Sequence, residues 1–210
     1  MTRKLSLLII GLTFCLGLFS QTITGNLSLL ANQSINLEGF NGLESYSISN
    51  AIIDDKGNFE LVYSKADYGV GYLLSSDKKP LFVLLSGEDI VLAGEALSYL
   101  ETISVTKGRE NQWFEQYAKE HPKRDQALSA WIYLEKMYTA DNLFALQQTP
   151  QQAIAQEKKR INAEDSTFLA ELPTDSYVSW FLPMRKLVSG VSTIAQYRPE
   201  EIPATIKAFR

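Results

Sequence analysis

Between residues 50 and 95 the chain breaks into short apolar runs, separated by Asp-Asp-Lys-Gly, Ser-Asp-Lys-Lys-Pro and Ser-Gly-Glu-Asp. Runs this short leave no room for helices, and the Asp, Gly, Pro and Ser clusters between them are turn formers, so the stretch predicts an antiparallel meander. Phe59, Leu61 and Tyr63 alternate with polar residues and share one face of a strand. Phe82-Val83-Leu84-Leu85 is apolar without interruption, the pattern of a strand covered on both faces, which predicts a central position in its sheet. Pro80 precedes that run, where a strand tolerates proline.

Upstream, residues 23–30 and 35–40 read as an opening hairpin, and Tyr46-Ser47-Ile48-Ser49 as a half-buried strand. With Ile90-Val91-Leu92 the chain carries seven or eight short strands up to about Val105, enough for a sandwich or half-open barrel. From Arg109 the period changes. Trp113, Tyr117, Leu128, Trp131, Ile132, Leu134 and Tyr138 recur at helical spacing, with a break expected at His121-Pro122. Thr149-Pro150 reads as the start of a second helix, capped by Thr149. Thr174 or Asp175 reads as the cap of a third that Pro183 kinks or ends, and Arg198-Pro199-Glu200-Glu201 as the start of a last one. The expected fold class is therefore α+β: an antiparallel β sandwich or half-open barrel over 21–105, then a helical region over 106–210.

Residues 1–20 open with Arg3 and Lys4 and continue with an apolar run to Phe19, the form of a secretory signal peptide cut after Ser20. The run is shorter than the ~20 apolar residues of a membrane span. Export to the periplasm or outer envelope of a Gram-negative bacterium follows, with no transmembrane segment after cleavage. Cleavage also removes Cys15, the only cysteine, so the mature chain carries no disulfide and no CxxC pair. Charge divides the chain: 21–105 holds four Lys/Arg against eleven Asp/Glu, and 106–210 fourteen against thirteen. An acidic first half excludes nucleic acid as a partner, which would need a basic footprint. Ile202, Ile206 and Phe209 give the last helix an apolar face with no sequence after it to pack on, from which a longer polypeptide is expected.

No residue constellation specifies a reaction. His121 is the single histidine and reads as an exposed residue at a helix boundary, with no nucleophile motif beside it. Asp54/Asp55 and Glu88/Asp89 are acidic pairs of the kind a glycosidase uses, but each sits in a turn where Asp serves local hydrogen bonding. Gly69-Val70-Gly71 lacks the third glycine and the following helix of a phosphate loop. Trp113, Trp131 and Trp180 fall on apolar helix faces, where burial is expected. Tyr46, Tyr63, Tyr68 and Tyr72 are the candidates for a peptide or glycan surface, although packing is the commoner fate of tyrosine in strands. No catalytic residue, metal ligand or cofactor site is expected, and the chain is not read as an enzyme.

Three segments carry a family resemblance: Ile52-Ile53-Asp54-Asp55-Lys56-Gly57-Asn58-Phe59-Glu60-Leu61, Phe82-Val83-Leu84-Leu85-Ser86-Gly87-Glu88-Asp89-Ile90, and Gly108-Arg109-Glu110-Asn111-Gln112-Trp113-Phe114. Together they resemble the N-terminal, non-catalytic region of thioredoxin-like envelope proteins of Gram-negative bacteria. In that family a β domain and a helical segment precede a thioredoxin fold bearing CxxC. The likeness spans roughly 21–114. The redox cysteines have no counterpart in this chain, so no catalytic residue carries over. The resemblance implies an exported accessory module of a thiol–disulfide oxidoreductase, partnered by another protein or by a continuation of the same polypeptide. A free-standing peptide- or glycan-binding protein is the alternative.

Overall fold

The computed structural model describes residues 20–42, 44–76, 79–197, 200 and 202–208. Residues 1–19 of the expected signal peptide, with Cys15 among them, lie outside these, as do Arg198, Pro199 and Glu201 of the expected last helix start and Phe209. Among the described residues eight strands precede four helices, an α+β architecture with the β half first. The strands are β1 (Gln21–Leu27), β2 (Ser34–Asn41), β3 (Glu44–Ile52), β4 (Asn58–Tyr63), β5 (Gly69–Ser75), β6 (Leu81–Leu85), β7 (Ile90–Gly94) and β8 (Ser104–Lys107). The helices are α1 (Arg109–Ala140), α2 (Gln148–Glu171), α3 (Tyr177–Tyr197) and α4 (Ile202–Ala208).

The strands form two four-stranded sheets, in the orders β4-β1-β7-β8 and β3-β2-β5-β6. Their inner faces meet in one core that includes Ile23, Leu37, Leu61, Leu73, Val83 and Leu92. Residues 23–30 and 35–40 do not form a hairpin, because β1 and β2 belong to different sheets. Nor is the β half wholly antiparallel: β1 pairs with β7 in parallel, Ile23 opposite Ile90 and Leu27 opposite Gly94. The chain crosses between sheets after β1, β3, β4 and β6, and β1 is thereby enclosed between strands remote in sequence.

Two glycines stand where the chain leaves no room for a side chain. Gly57, at φ +87°, turns the chain from β3 into β4 against the Leu27 backbone, and its carbonyl accepts the Leu27 N–H at 2.8 Å. Asp54 Oδ1 holds the same turn by accepting the backbone N–H groups of Lys56 (2.9 Å) and Asn58 (2.7 Å). Gly25 lies in the middle of β1, where a Cβ would stand 2.5 Å from the Leu92 carbonyl oxygen and 2.9 Å from the Phe59 ring.

β6 is an edge strand, not a central one. The uninterrupted apolar run is explained differently: Val83 and Leu85 face the sandwich core, while Leu84 faces a second core built with Phe114, Tyr117, Leu172, Val178 and Leu182. The helices supply the second cover.

The expected break at His121-Pro122 is absent, and α1 runs through it as one helix. Pro122 is exposed, so water can serve the carbonyl its ring leaves without an N–H donor, while His121 on the inner side is tied to α2. Thr149 does not cap α2, which begins one residue earlier without a side-chain cap. α3 is continuous through Pro183. Its first turn is held by Ser176, whose Oγ accepts the Ser179 N–H at 3.2 Å, instead of by Thr174 or Asp175. Ile132 and Leu134 are exposed along the outer half of α1.

Glu110 links the helices at their starts. Its carboxylate accepts the N–H groups of Tyr177 (2.9 Å) and Val178 (2.7 Å), two free donors at the positive end of α3. Its own N–H donates to Glu88 Oε2 at 3.1 Å, tying the start of α1 to the β6–β7 turn. Glu110→Ala is expected to cost about 2–3 kcal/mol, since two charge-assisted bonds, one buried and one half-buried, are lost together. Urea unfolding followed by tryptophan fluorescence would check it.

Candidate functional site

α1 stands across the open side of the sandwich, between the unpaired edges of β6 and β8. Asn111, buried to 2% exposure, presents its side-chain amide to Leu84 as a neighbouring strand would. Its Oδ1 accepts the Leu84 N–H and its Nδ2 donates to the Leu84 carbonyl, both at 2.8 Å. On the opposite edge Glu115 Oε2 accepts the Val105 N–H at 2.8 Å, Gln112 Nε2 donates to the Val105 carbonyl at 3.2 Å, and Lys119 Nζ donates to the Ile103 carbonyl at 3.0 Å. One helix thus satisfies backbone groups of two edges that would otherwise recruit another strand.

Beneath α1 the sheets do not fully close, and a cavity of about 330 Å³ remains. Val83 and Leu92 line it from the two sheets, Ile103 and Val105 from the β8 side, and Phe114 and Ala118 from α1. Arg185, an exposed residue of α3, also borders it, with its guanidinium carbon 5.7 Å from the Phe82 ring centroid and 5.6 Å from that of Phe114. Phe82 in turn meets Tyr72 edge-on at 4.6 Å, and Tyr72 meets Phe40 at 4.8 Å, an aromatic row across β6, β5 and β2.

The four candidate tyrosines do not make one surface. Tyr63 is buried, and its hydroxyl donates to the Glu88 carbonyl at 2.5 Å and accepts the Gly87 N–H at 3.2 Å. Burial pushes its pKa up to about 12. Tyr68 lies beside it, ring centroids 6.3 Å apart, and covers Gly87. Tyr46 is opposite Gly39 and Tyr72 opposite Glu38, successive positions of β2 that point to opposite faces. The Tyr46 hydroxyl donates to Asp67 Oδ1 at 3.0 Å. Only Tyr72 belongs to the aromatic row.

The acidic turns are engaged in structure. Asp89 accepts the Thr22 N–H at 3.2 Å and pairs with Lys107 at 3.0 Å, and the Lys107 bond holds its carboxyl below the usual range. Hydrogen bonding from Asn58 does the same to Asp54. Trp113 is half-buried under Arg109, but Trp180 is 59% exposed, contrary to the burial expected of it.

His121 is not an exposed boundary residue. Its Nδ1 lies 3.0 Å from Asp165 Oδ1 and its Nε2 3.1 Å from Asp125 Oδ2, so neither nitrogen is left for a substrate. Tyr117 stacks on it at 4.6 Å. Asp165, 5% exposed, also receives Lys186 Nζ at 2.5 Å, which joins α1, α2 and α3. Burial raises the Asp165 pKa, but hydrogen bonds from Lys186 and His121 outweigh it and leave the carboxyl below its ordinary value. A depressed carboxylate stabilises the fold fully above pH ~4 and loses that contribution as pH falls through the folded value. Asp165→Asn is expected to cost about 1–3 kcal/mol at pH 7, with the gap from wild type closing below pH ~4. Thermal unfolding from pH 7 down to pH 3 would show the convergence.

Sequence reasoning missed Asn111 and Arg185. Asn111, Phe114 and Ala118 share one helix face by their spacing, a legible sign that the Asn points inward. Nothing in the sequence distinguishes Arg185 from other surface arginines.

Among the described residues, no helix is long and apolar enough to cross a membrane. No family model matches the chain, and no curated protein matches it. Among solved structures, a 9R-lipoxygenase from Cyanothece PCC8801 is similar over 30% of this chain and 13% of its own, at 21% identity and a TM-score of 0.24. A likeness of that size carries no argument about fold or activity.

Proposed function

We propose that the chain is an exported, non-catalytic interaction module of a thioredoxin-like envelope protein, docking a protein partner and having no redox activity of its own. The observation that supports docking is the far end of the helical half. There Leu143 is 76% and Leu146 87% exposed, with Ile132 and Tyr133 also at the surface of α1. Two large and strongly exposed apolar side chains three residues apart in one connection suit a protein-binding surface. The loop that carries them is built, because Gln151 Nε2 donates to the carbonyls of Tyr138 (2.6 Å) and Ala145 (3.2 Å). The redox context rests on the sequence resemblance alone. The rival reading, a peptide or glycan binder using the four tyrosines, lacks a common surface to work with.

The test is titration calorimetry of the chain against a thioredoxin-fold envelope domain from its own host. Saturable binding that Leu143→Asp/Leu146→Asp abolishes, with the unfolding midpoint unchanged, supports the reading. No binding by the wild-type chain, or turnover by the chain alone in an insulin-reduction assay, contradicts it.

A further inference from the structure

The cavity under α1 has an apolar interior and a cationic mouth. Of its polar lining residues, Asn111, Glu115 and Lys119 are committed to backbone groups of the two edges. They close the sandwich without leaving an unpaired charge inside. Arg185 differs from them. Among the described residues no carboxylate lies within ion-pair distance of its guanidinium, which rests instead over the rings of Phe82 and Phe114.

An arginine over aromatic faces is held in orientation while its N–H fork stays available, and that fork matches a carboxylate. Behind it, Val83, Leu92 and Ile103 offer a tail only apolar surface. A ligand that suits both parts has an anionic head and an unbranched apolar tail. The geometry points to a binding site for a medium-chain fatty acid, with its carboxylate on Arg185 and its tail between the two sheets. At about 330 Å³ the cavity lies within the range of small-ligand pockets and has room for on the order of ten carbons. A fatty amine would set its charge against Arg185, and a fatty alcohol would forgo the ion pair. The site is separate from the exposed leucines of the α1–α2 connection, so failure at either place leaves the other reading intact.

Calorimetric titration of the full chain with decanoate tests the assignment, with decan-1-ol and decylamine as comparators. Decanoate should saturate a single site, and the alcohol should bind at least about tenfold more weakly, the loss expected with a charge-assisted pair. Arg185→Ala, at an exposed position, should lower decanoate affinity by a similar factor and leave decan-1-ol unaffected, with Arg185→Lys intermediate. Ala118→Phe should fill the cavity and weaken both ligands. Unfolding curves of each variant establish that it is folded. The assignment is overturned if decanoate does not saturate the wild-type chain, if decan-1-ol binds as tightly, or if folded Arg185→Ala binds decanoate within twofold of wild type.

Discussion

Asn111→Ala should destabilise the protein by about 2–4 kcal/mol, a large effect for a side chain outside any apolar core. The expectation follows from what is left behind. The Leu84 N–H and carbonyl are turned away from β5, and the Asn111 amide is their partner on the helix side. Leu84 is fully buried, so each backbone group stripped of its partner costs about 1–3 kcal/mol. Asn111→Asp separates the two bonds. A carboxylate can still accept the Leu84 N–H, but it opposes the Leu84 carbonyl and buries a charge, so it should be at least as damaging as alanine. Urea unfolding midpoints measure both. A loss below about 0.5 kcal/mol for either variant would mean that water already serves the β6 edge.

Gly25→Ala should be comparably severe for a different reason. β1 is bonded on both sides, to β4 and to β7, and cannot shift without opening the β4-β1-β7-β8 sheet. The added methyl would lie 2.5 Å from a backbone oxygen of the parallel neighbour, and neither the Leu92 carbonyl nor the enclosed Phe59 ring has room to retreat. Overpacking of a core typically costs about 1–3 kcal/mol, and a backbone obstacle places this site at the upper end, about 3 kcal/mol or more. Soluble yield and thermal midpoint would register it. A near-wild-type Gly25→Ala would refute the close approach of β1 to β7.

What the sequence disclosed, and what it hid, divides by distance along the chain. The turn at Asp54-Asp55-Lys56-Gly57 is local chemistry and is where it was expected, although it joins two sheets and not the arms of a hairpin. Phe82-Val83-Leu84-Leu85 disclosed burial on two faces, yet not that the second cover is helical, because an apolar run records cover without recording its source. The parallel β1–β7 pairing joins Ile23 to Ile90, and no periodicity within either strand encodes it. Pro122 signalled a helix break that the bond between His121 and Asp165, 44 residues on, helps to override. Tyrosine spacing similarly said nothing of Tyr63 turning inward toward Glu88 and Gly87. The candidate site is the least legible part, since it joins Val83, Leu92, Ala118 and Arg185 from four separate elements.

The role of α1 as the closure of both sandwich edges underlies the cavity, the rigid seating of the helices and the assignment of Arg185. Amide hydrogen exchange at Leu84 and Val105 tests it directly. Both amides should be protected to the level of global unfolding in the wild-type chain. In Asn111→Ala the Leu84 amide should lose protection beyond the global change, while Val105, held by Glu115, should follow the global change alone. Exchange at Leu84 in the wild-type chain as fast as at an open sheet edge, or equal loss at both amides in the variant, would contradict it.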